Sequence, residues 1–170
     1  MSRLEPLKRI PVGVVVERRR AISPWVDFLW RPVAVLPGVP AAEPWTALDG
    51  DEECKRFYAG AGEIGLYRSD TAAYRDNLST GAALLWVVLR PTGREPPYEI
   101  AAITADPSEG ESFSETATDL IETVAMPDAI RAALEDFIAE YHVERPFVKR
   151  QRDRVSPEVM ARQAPAKEQK

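Results

Sequence analysis

Leu84-Leu85-Trp86-Val87-Val88-Leu89 is the stretch of this chain that decides the fold. All of its side chains are apolar, whereas a strand with one face in water alternates apolar and polar residues. A short apolar run between turn-forming residues is typical of a strand that is buried on both faces. We therefore predict that this segment is the central strand of a sheet.

Further strands are predicted on either side of this segment. Tyr98 to Thr104 and Ile10 to Arg18 both alternate apolar side chains, and the latter is rich in β-branched residues. Phe28 to Leu36 has similar character, but Pro32 lacks a backbone N–H and restricts the strand to a sheet edge or a bulge. Short connections between strands favour antiparallel pairing, because parallel crossovers need about a dozen residues or more.

The clearest helix signal begins at Pro127, a residue type that suits the first helical position. Apolar residues then recur at helical spacing and make one stripe, consisting of Ile130, Leu134, Phe137, Ile138 and Tyr141. Pro146 is predicted to end the helix. Thr71 to Leu78 predicts one or two further helical turns, and Asp106 to Ser114 predicts a polar loop.

The order of these elements predicts an α+β domain. We expect an antiparallel, strongly curved sheet or partly open barrel with one C-terminal helix packed on it. We also expect three parts along the chain: residues 1–8 as a flexible arm, residues 9–150 as a single domain and residues 151–170 as a disordered charged tail.

Composition excludes several functional classes. The 170-residue chain has a net charge of −5, and the eight Lys and Arg against four acids from Glu144 onward leave the body still more acidic. An acidic body repels nucleic acid and anionic lipid, so neither is an expected partner. The sequence shows no apolar segment long enough for a membrane helix and no signal peptide, and it contains one cysteine. These features predict a cytoplasmic protein.

One chemical fingerprint occurs in the chain. Gly60-Ala61-Gly62-Glu63-Ile64-Gly65 has the G-x-G-x-x-G pattern of dinucleotide sites. In such a site a buried strand precedes the pattern and a helix begins at its last glycine. Lys55 to Tyr58 before it is half charged, and Ile64 to Tyr67 alternates as a strand does. We interpret the glycines as a turn or bulge. The alternative hypothesis is a small-molecule or dinucleotide-binding protein that uses the Gly60–Gly65 turn.

No catalytic or metal-binding set emerges from the remaining residues. Cys54 and His142 are the only cysteine and histidine, too few for a common zinc site. The acids between Asp49 and Glu53 lie in a polar setting, which does not raise the pKa of a carboxyl group as a general acid requires. We therefore predict no cofactor and no metal, and the sequence favours a non-enzymatic protein.

Tryptophans in loop-like segments suggest how such a protein acts. Aromatic side chains dominate the binding energy of protein interfaces, so Trp25 and Trp45, if exposed together, would anchor a partner. The candidate partner-binding residues are Trp25, Trp30, Arg31, Trp45, Phe147, Lys149 and Arg150.

Four sequence blocks between about Pro11 and Arg152 resemble a small proteobacterial family, catalogued only as a domain of unknown function. The blocks are Trp30-Arg31-Pro32-Val33-Ala34-Val35-Leu36-Pro37-Gly38, Tyr74-Arg75-Asp76-Asn77-Leu78, Met126-Pro127 and Pro146-Phe147-Val148-Lys149-Arg150. Members are often encoded beside formate dehydrogenase and its accessory proteins. The resemblance implies a non-catalytic helper that assists assembly of a molybdenum-dependent formate dehydrogenase, with an oxidoreductase subunit or a maturation factor as partner. A structural subunit of a larger oxidoreductase complex is a further alternative.

Overall fold

Two antiparallel sheets and three α-helices make up residues 4–144, the part of the chain that the computed structural model describes. The first sheet has the strand order β2-β1-β4-β3 and the second has the order β6-β5-β7. The strands are β1 (Lys8–Ser23), β2 (Val26–Pro37), β3 (Thr46–Gly50), β4 (Cys54–Leu66), β5 (Leu84–Pro91), β6 (Tyr98–Thr104) and β7 (Leu120–Ala125). The helices are α1 (Thr71–Ser79), α2 (Pro107–Ser112) and α3 (Asp128–Tyr141).

The central position of the apolar run is confirmed. β5 contains Leu84 to Leu89 and pairs with β6 on one side and β7 on the other. Leu85, Val87, Val88 and Leu89 are all fully buried, so side chains of both orientations are shielded from water. Continuous apolar character along β5 is the sequence pattern that such burial requires.

The two sheets face each other across one apolar core. β2 lies against β7 and β4 lies against β6, but among the described residues no backbone ladder joins the sheets into a closed barrel. The first sheet contributes Val12, Val14 and Val16 from β1, each with no exposed surface. Burying a side chain of this size stabilises the fold by about 1.5–3 kcal/mol.

The helices pack against the part of the core that the second sheet forms. α3 buries Ile130, Leu134 and Phe137, as its predicted apolar stripe requires. It packs on α1 through an edge-to-face contact between the rings of Phe137 and Tyr74, whose centroids are 6.2 Å apart. Among the described residues no helix combines the length and apolar character needed to cross a membrane.

The α+β class is confirmed, but the predicted single sheet with one helix is wrong in two respects. Two separate sheets form, and α1 and α2 accompany the C-terminal helix. Asp106 to Ser114 is not a loop, because Asp106 caps α2 by accepting a 2.9 Å hydrogen bond from the backbone N–H of Ser108. Pro107 follows at the first helical position, which favours a helix start. The division into arm, domain and tail stays a prediction, since residues 145–170 lie outside the described residues.

The predicted position of Pro32 is confirmed. β2 is an edge strand, and its register against β1 shifts so that Val15 faces Ala34 while Val16 faces Pro32. The shift leaves Val33 without a partner on β1. A bulge at a sheet edge is where a residue without a backbone N–H is tolerated.

Asn77 ties α1 to the second sheet. Its side-chain amide donates to the backbone carbonyls of Leu84 at 2.8 Å and Ala105 at 2.9 Å. Its side-chain oxygen accepts from the backbone N–H of Leu84 at 3.1 Å. Asn77 is buried, so water cannot replace its side chain as the hydrogen-bond partner of these backbone groups at the ends of β5 and β6.

We expect Asn77→Ala to lower the free energy of unfolding by about 2–4 kcal/mol, because it leaves buried backbone groups unpaired. Chemical denaturation of the variant measures this change. Asp76→Ala is the control, since Asp76 neighbours Asn77 but is exposed. Equal losses in the two variants would contradict the role assigned to Asn77.

Candidate interaction site

The hairpin formed by β1 and β2 exposes apolar side chains at its tip. Ile22 is fully exposed, Trp25 is 90% exposed and Leu29 is 58% exposed, and Val26 between them is also exposed. The tight turn is closed by a 3.2 Å hydrogen bond from the backbone N–H of Trp25 to Oγ of Ser23. We call Ile22, Trp25, Val26 and Leu29 the hairpin patch. The turn therefore presents Trp25 to solvent at the extreme end of the first sheet.

An aromatic cluster supports the base of this hairpin. The ring of Trp30 lies edge-on to Trp45 at 5.8 Å between centroids, and it lies 5.7 Å from Phe57 and 6.2 Å from Tyr98. Trp45 adopts φ 67°, a left-handed backbone conformation that costs free energy in a residue with a side chain. Its backbone N–H donates to the carbonyl of Tyr58. The cluster thus fixes the position of a residue in an unfavourable conformation.

Glu17 organises the opposite face of the same sheet. Although its side chain is only 6% exposed, its carboxylate lies 3.1 Å from the guanidinium of Arg31 and 3.3 Å from that of Arg19. Arg56 lies within 4.0 Å of the other carboxylate oxygen. Burial raises the pKa of Glu17, but Arg31, Arg19 and a hydrogen bond from the Cys54 thiol together outweigh it and hold the pKa below its usual value. One buried carboxylate therefore holds three guanidinium groups together on one face of the sheet.

The glycine hexapeptide has a structural role inside β4. Gly60 sits at a bulge with φ +132°, where the register against β1 shifts between Val14 and Val15. Gly62 lets β6 approach, because a methyl group at this position would lie 2.7 Å from Cδ1 of Ile103. No helix begins at Gly65, since β4 continues to Leu66. The interpretation as a bulge is confirmed, and the hexapeptide lacks the strand–turn–helix setting of a dinucleotide site.

His142 joins α3 to α1. Its Nε2 lies 3.0 Å from Nη1 of Arg75 and its Nδ1 lies 3.0 Å from Oγ1 of Thr71. Arginine can only donate, so Nε2 accepts and the ring proton resides on Nδ1, which donates to Thr71. Arg75 also pairs with Glu144 at 3.2 Å. Within residues 4–144 no cluster of three or more metal-ligating side chains forms.

A family model supports the relation suggested by the sequence blocks. The model described as protein of unknown function DUF3305 matches residues 11–151. The chain belongs to the DUF3305 family. No curated protein and no solved structure matches this DUF3305 chain. The family description assigns no activity, so function has to be argued from the site.

The structure separates the sequence-predicted partner-binding residues of this DUF3305 protein. Trp25 is exposed, whereas Trp30 and Trp45 are half-buried in the aromatic cluster. Trp25 and Trp45 therefore do not form one exposed anchor. Arg31 lies on the opposite face, paired with Glu17. Phe147, Lys149 and Arg150 lie outside the described residues.

Several residues of the site were missed by sequence reasoning. Glu17 and Arg18 occupy adjacent positions of a predicted strand, and nothing in their spacing shows which is buried. Phe57 and Tyr98 reach Trp30 only through tertiary contacts between β2, β4 and β6. The available signal was the adjacency of basic and aromatic residues in Lys55-Arg56-Phe57-Tyr58.

We expect Glu17→Gln to lower the free energy of unfolding at neutral pH by about 1–3 kcal/mol, since a buried carboxylate loses its charged partners. The Glu17 carboxylate has a lowered pKa in the folded state, so its stabilisation is complete above the unfolded value of about 4.3 and is lost as pH falls through the folded value. Wild-type stability should therefore fall more steeply than that of Glu17→Gln below about pH 4.3.

Denaturation curves at several pH values measure this difference. Glu63→Gln is the control, because Glu63 pairs with Arg9 on the surface and is half exposed. Parallel pH profiles for wild type and Glu17→Gln would contradict the assigned role of Glu17.

We expect Gly62→Ala to destabilise the fold by about 1–3 kcal/mol, because the added methyl overpacks the contact with Ile103. Thermal unfolding measures the loss. Ala61→Ser is the matched control, because Ala61 is the exposed residue of β4 that precedes Gly62. A Gly62→Ala protein as stable as wild type would contradict the close approach of β4 and β6.

Proposed function

We propose that this DUF3305 protein acts without catalysis, by binding another protein through the hairpin patch. The observation that carries the proposal is the 90% exposure of Trp25 among exposed Ile22, Val26 and Leu29. Several large apolar side chains exposed at one hairpin tip are typical of a surface that a partner protein covers.

Trp25 has the properties of an interface anchor. Tryptophan offers a large contact area and has only two side-chain torsions, so immobilising it costs little conformational entropy. It is also enriched among residues whose truncation weakens binding most. The closed turn at Ser23 positions its backbone before a partner arrives, which lowers the ordering cost of binding.

The remaining candidate residues are proposed as supporting parts of this surface. Trp30 and Trp45 hold the hairpin base through their edge-to-face contact. Arg31 offers donors at the rim while paired with Glu17. Phe147, Lys149 and Arg150 are proposed to extend the contact along the segment that follows Glu144.

The finer proposal names the partner. The resemblance to a family encoded beside formate dehydrogenase implies an assembly role. We therefore propose that the partner is a subunit or maturation factor of a molybdenum-dependent formate dehydrogenase in the cytoplasm. The exposed hairpin supports binding in general, and the resemblance alone supports this particular partner.

Affinity purification of the tagged full-length protein from its native cells tests the proposal. We expect an oxidoreductase subunit or maturation factor to co-purify, and Trp25→Ser to reduce its recovery at least about tenfold, the effect of losing a binding hot spot. Val39→Ser is the matched control, because Val39 is an exposed aliphatic residue just beyond Pro37, the end of β2 that lies away from the hairpin tip.

Two results would contradict the proposal. One is the absence of any such protein from the purified material. The other is a recovery that Trp25→Ser and Val39→Ser change equally. A fixed stoichiometry in the mature enzyme, measured by size-exclusion mass analysis, would instead identify a structural subunit.

A further inference from the structure

We infer that the face of the hairpin opposite Glu17 binds an acidic segment of the partner protein. This inference rests on the proposed function and adds the chemistry of the bound segment. We call this surface the cation–aromatic face; it consists of Arg18, Arg20, Phe28, Trp30, Lys55 and Phe57.

Strand register brings these residues to one side of the sheet. Arg18 of β1 lies directly opposite Trp30 on β2 and directly opposite Lys55 on β4. Directly opposed residues of antiparallel strands project to the same face. The Arg18 guanidinium lies 4.3 Å from the ring centroid of Phe28 and 5.4 Å from that of Phe57. The aromatic rings therefore hold this cation in a fixed position.

Two cations of this face have no carboxylate partner within the described chain. Among residues 4–144 no carboxylate forms an ion pair with Arg18 or Lys55, whereas Arg20 of the same face pairs with Glu53 at 3.2 Å. The Nε of Arg18 is buried without a hydrogen-bond partner. Like charges directly opposite each other destabilise a sheet. An incoming carboxylate would relieve this repulsion, so the pair favours an anionic ligand.

A groove beside the cation–aromatic face has room for an apolar side chain of the same segment. The groove is lined by Trp45 and Tyr98, which also contact Trp30, and by Gly60 and Ile100. Its volume is about 300 Å³, and Arg94 and Glu99 also line it. The groove meets the cation–aromatic face through the ring contacts of Trp45 and Tyr98 with Trp30, so an apolar residue of the bound segment would lie beyond Trp30.

The surroundings favour an acidic peptide over a nucleic acid. Four acids in the segment Asp49–Glu53 border the face, since Gly50 lies opposite Lys55. A nucleic acid carries a continuous line of phosphates that would run into these acids. A short segment with a few carboxylates brings fewer negative charges to these acids than a nucleic acid does.

Photo-cross-linking with the full-length protein in its native cells tests the inference. A benzoylphenylalanine probe replaces Phe28 in one protein and Trp25 in a second. A third protein is the control and carries the probe at Phe113, far along the chain from the hairpin. Mass spectrometry then identifies the cross-linked peptide. We expect the probe at position 28 to capture a partner peptide rich in Asp and Glu.

Charge variants of the probe-bearing protein supply the second measurement. We expect Arg18→Gln and Lys55→Gln each to lower the cross-link yield at position 28 at least about tenfold, as loss of close interfacial charge pairs does. Arg18→Lys, which keeps the charge, should retain most of the yield. Lys8→Gln, which removes a cation at the other end of β1, is the control and should leave the yield unchanged.

The outcomes separate the two proposals. Capture at position 25 with none at position 28 would overturn the acidic-segment inference and leave the proposed function standing. Capture at neither position would overturn both. Cross-links at position 28 to nucleic acid, to a second copy of this chain or to a peptide without an excess of carboxylates would overturn the inference, as would a yield insensitive to Arg18→Gln and Lys55→Gln.

Discussion

Three long strands of the first sheet extend beyond the second sheet and so determine which surfaces are exposed. β1, β2 and β4 have 16, 12 and 13 residues and the edge strand β3 has 5, whereas β5, β6 and β7 have 8, 7 and 6. At about 3.3 Å per residue, β1 exceeds the central strand of the other sheet by roughly 25 Å. A short sheet cannot cover a long one, so the first sheet divides into a covered half and an uncovered half.

The inward side chains of the first sheet change in chemical character at the point where the second sheet no longer covers them. From Val12 to Val16 the inward positions of β1 are fully buried aliphatics, but the next inward position is Arg18. In the covered half, Gly62 permits the close approach of β6 that the aliphatic core needs. On the inward face of the uncovered half, rings and guanidinium groups replace aliphatics, since both tolerate partial contact with water. The same strands thus serve the core at one end and an exposed surface at the other.

Sequence pattern predicted the parts of the fold that follow from local periodicity. The uninterrupted apolar run of β5 and the stripe of α3 each indicate their own burial, so the central strand and the long helix were predictable. β3 was missed because all of its residues are exposed and it lacks an apolar face. α2 was missed because its residues are polar, although Asp106 and Pro107 together carried a helix-start signal. Of the predicted partner-binding residues, Trp25 lies in the hairpin patch and Trp30 in the cation–aromatic face. The opposition of Arg18 and Lys55 was not predicted, because it depends on strand register, which the sequence does not reveal.

The hairpin end of the first sheet is uncovered in the free protein. Hydroxyl-radical footprinting of the purified full-length chain measures this directly, because it reports side-chain exposure residue by residue. We expect rapid oxidation of Trp25 and Leu29, and protection of the buried rings of Tyr74 and Phe137. Protection of Trp25 and Leu29 to the same degree as Tyr74 would contradict it, since the hairpin would then be covered before any partner binds.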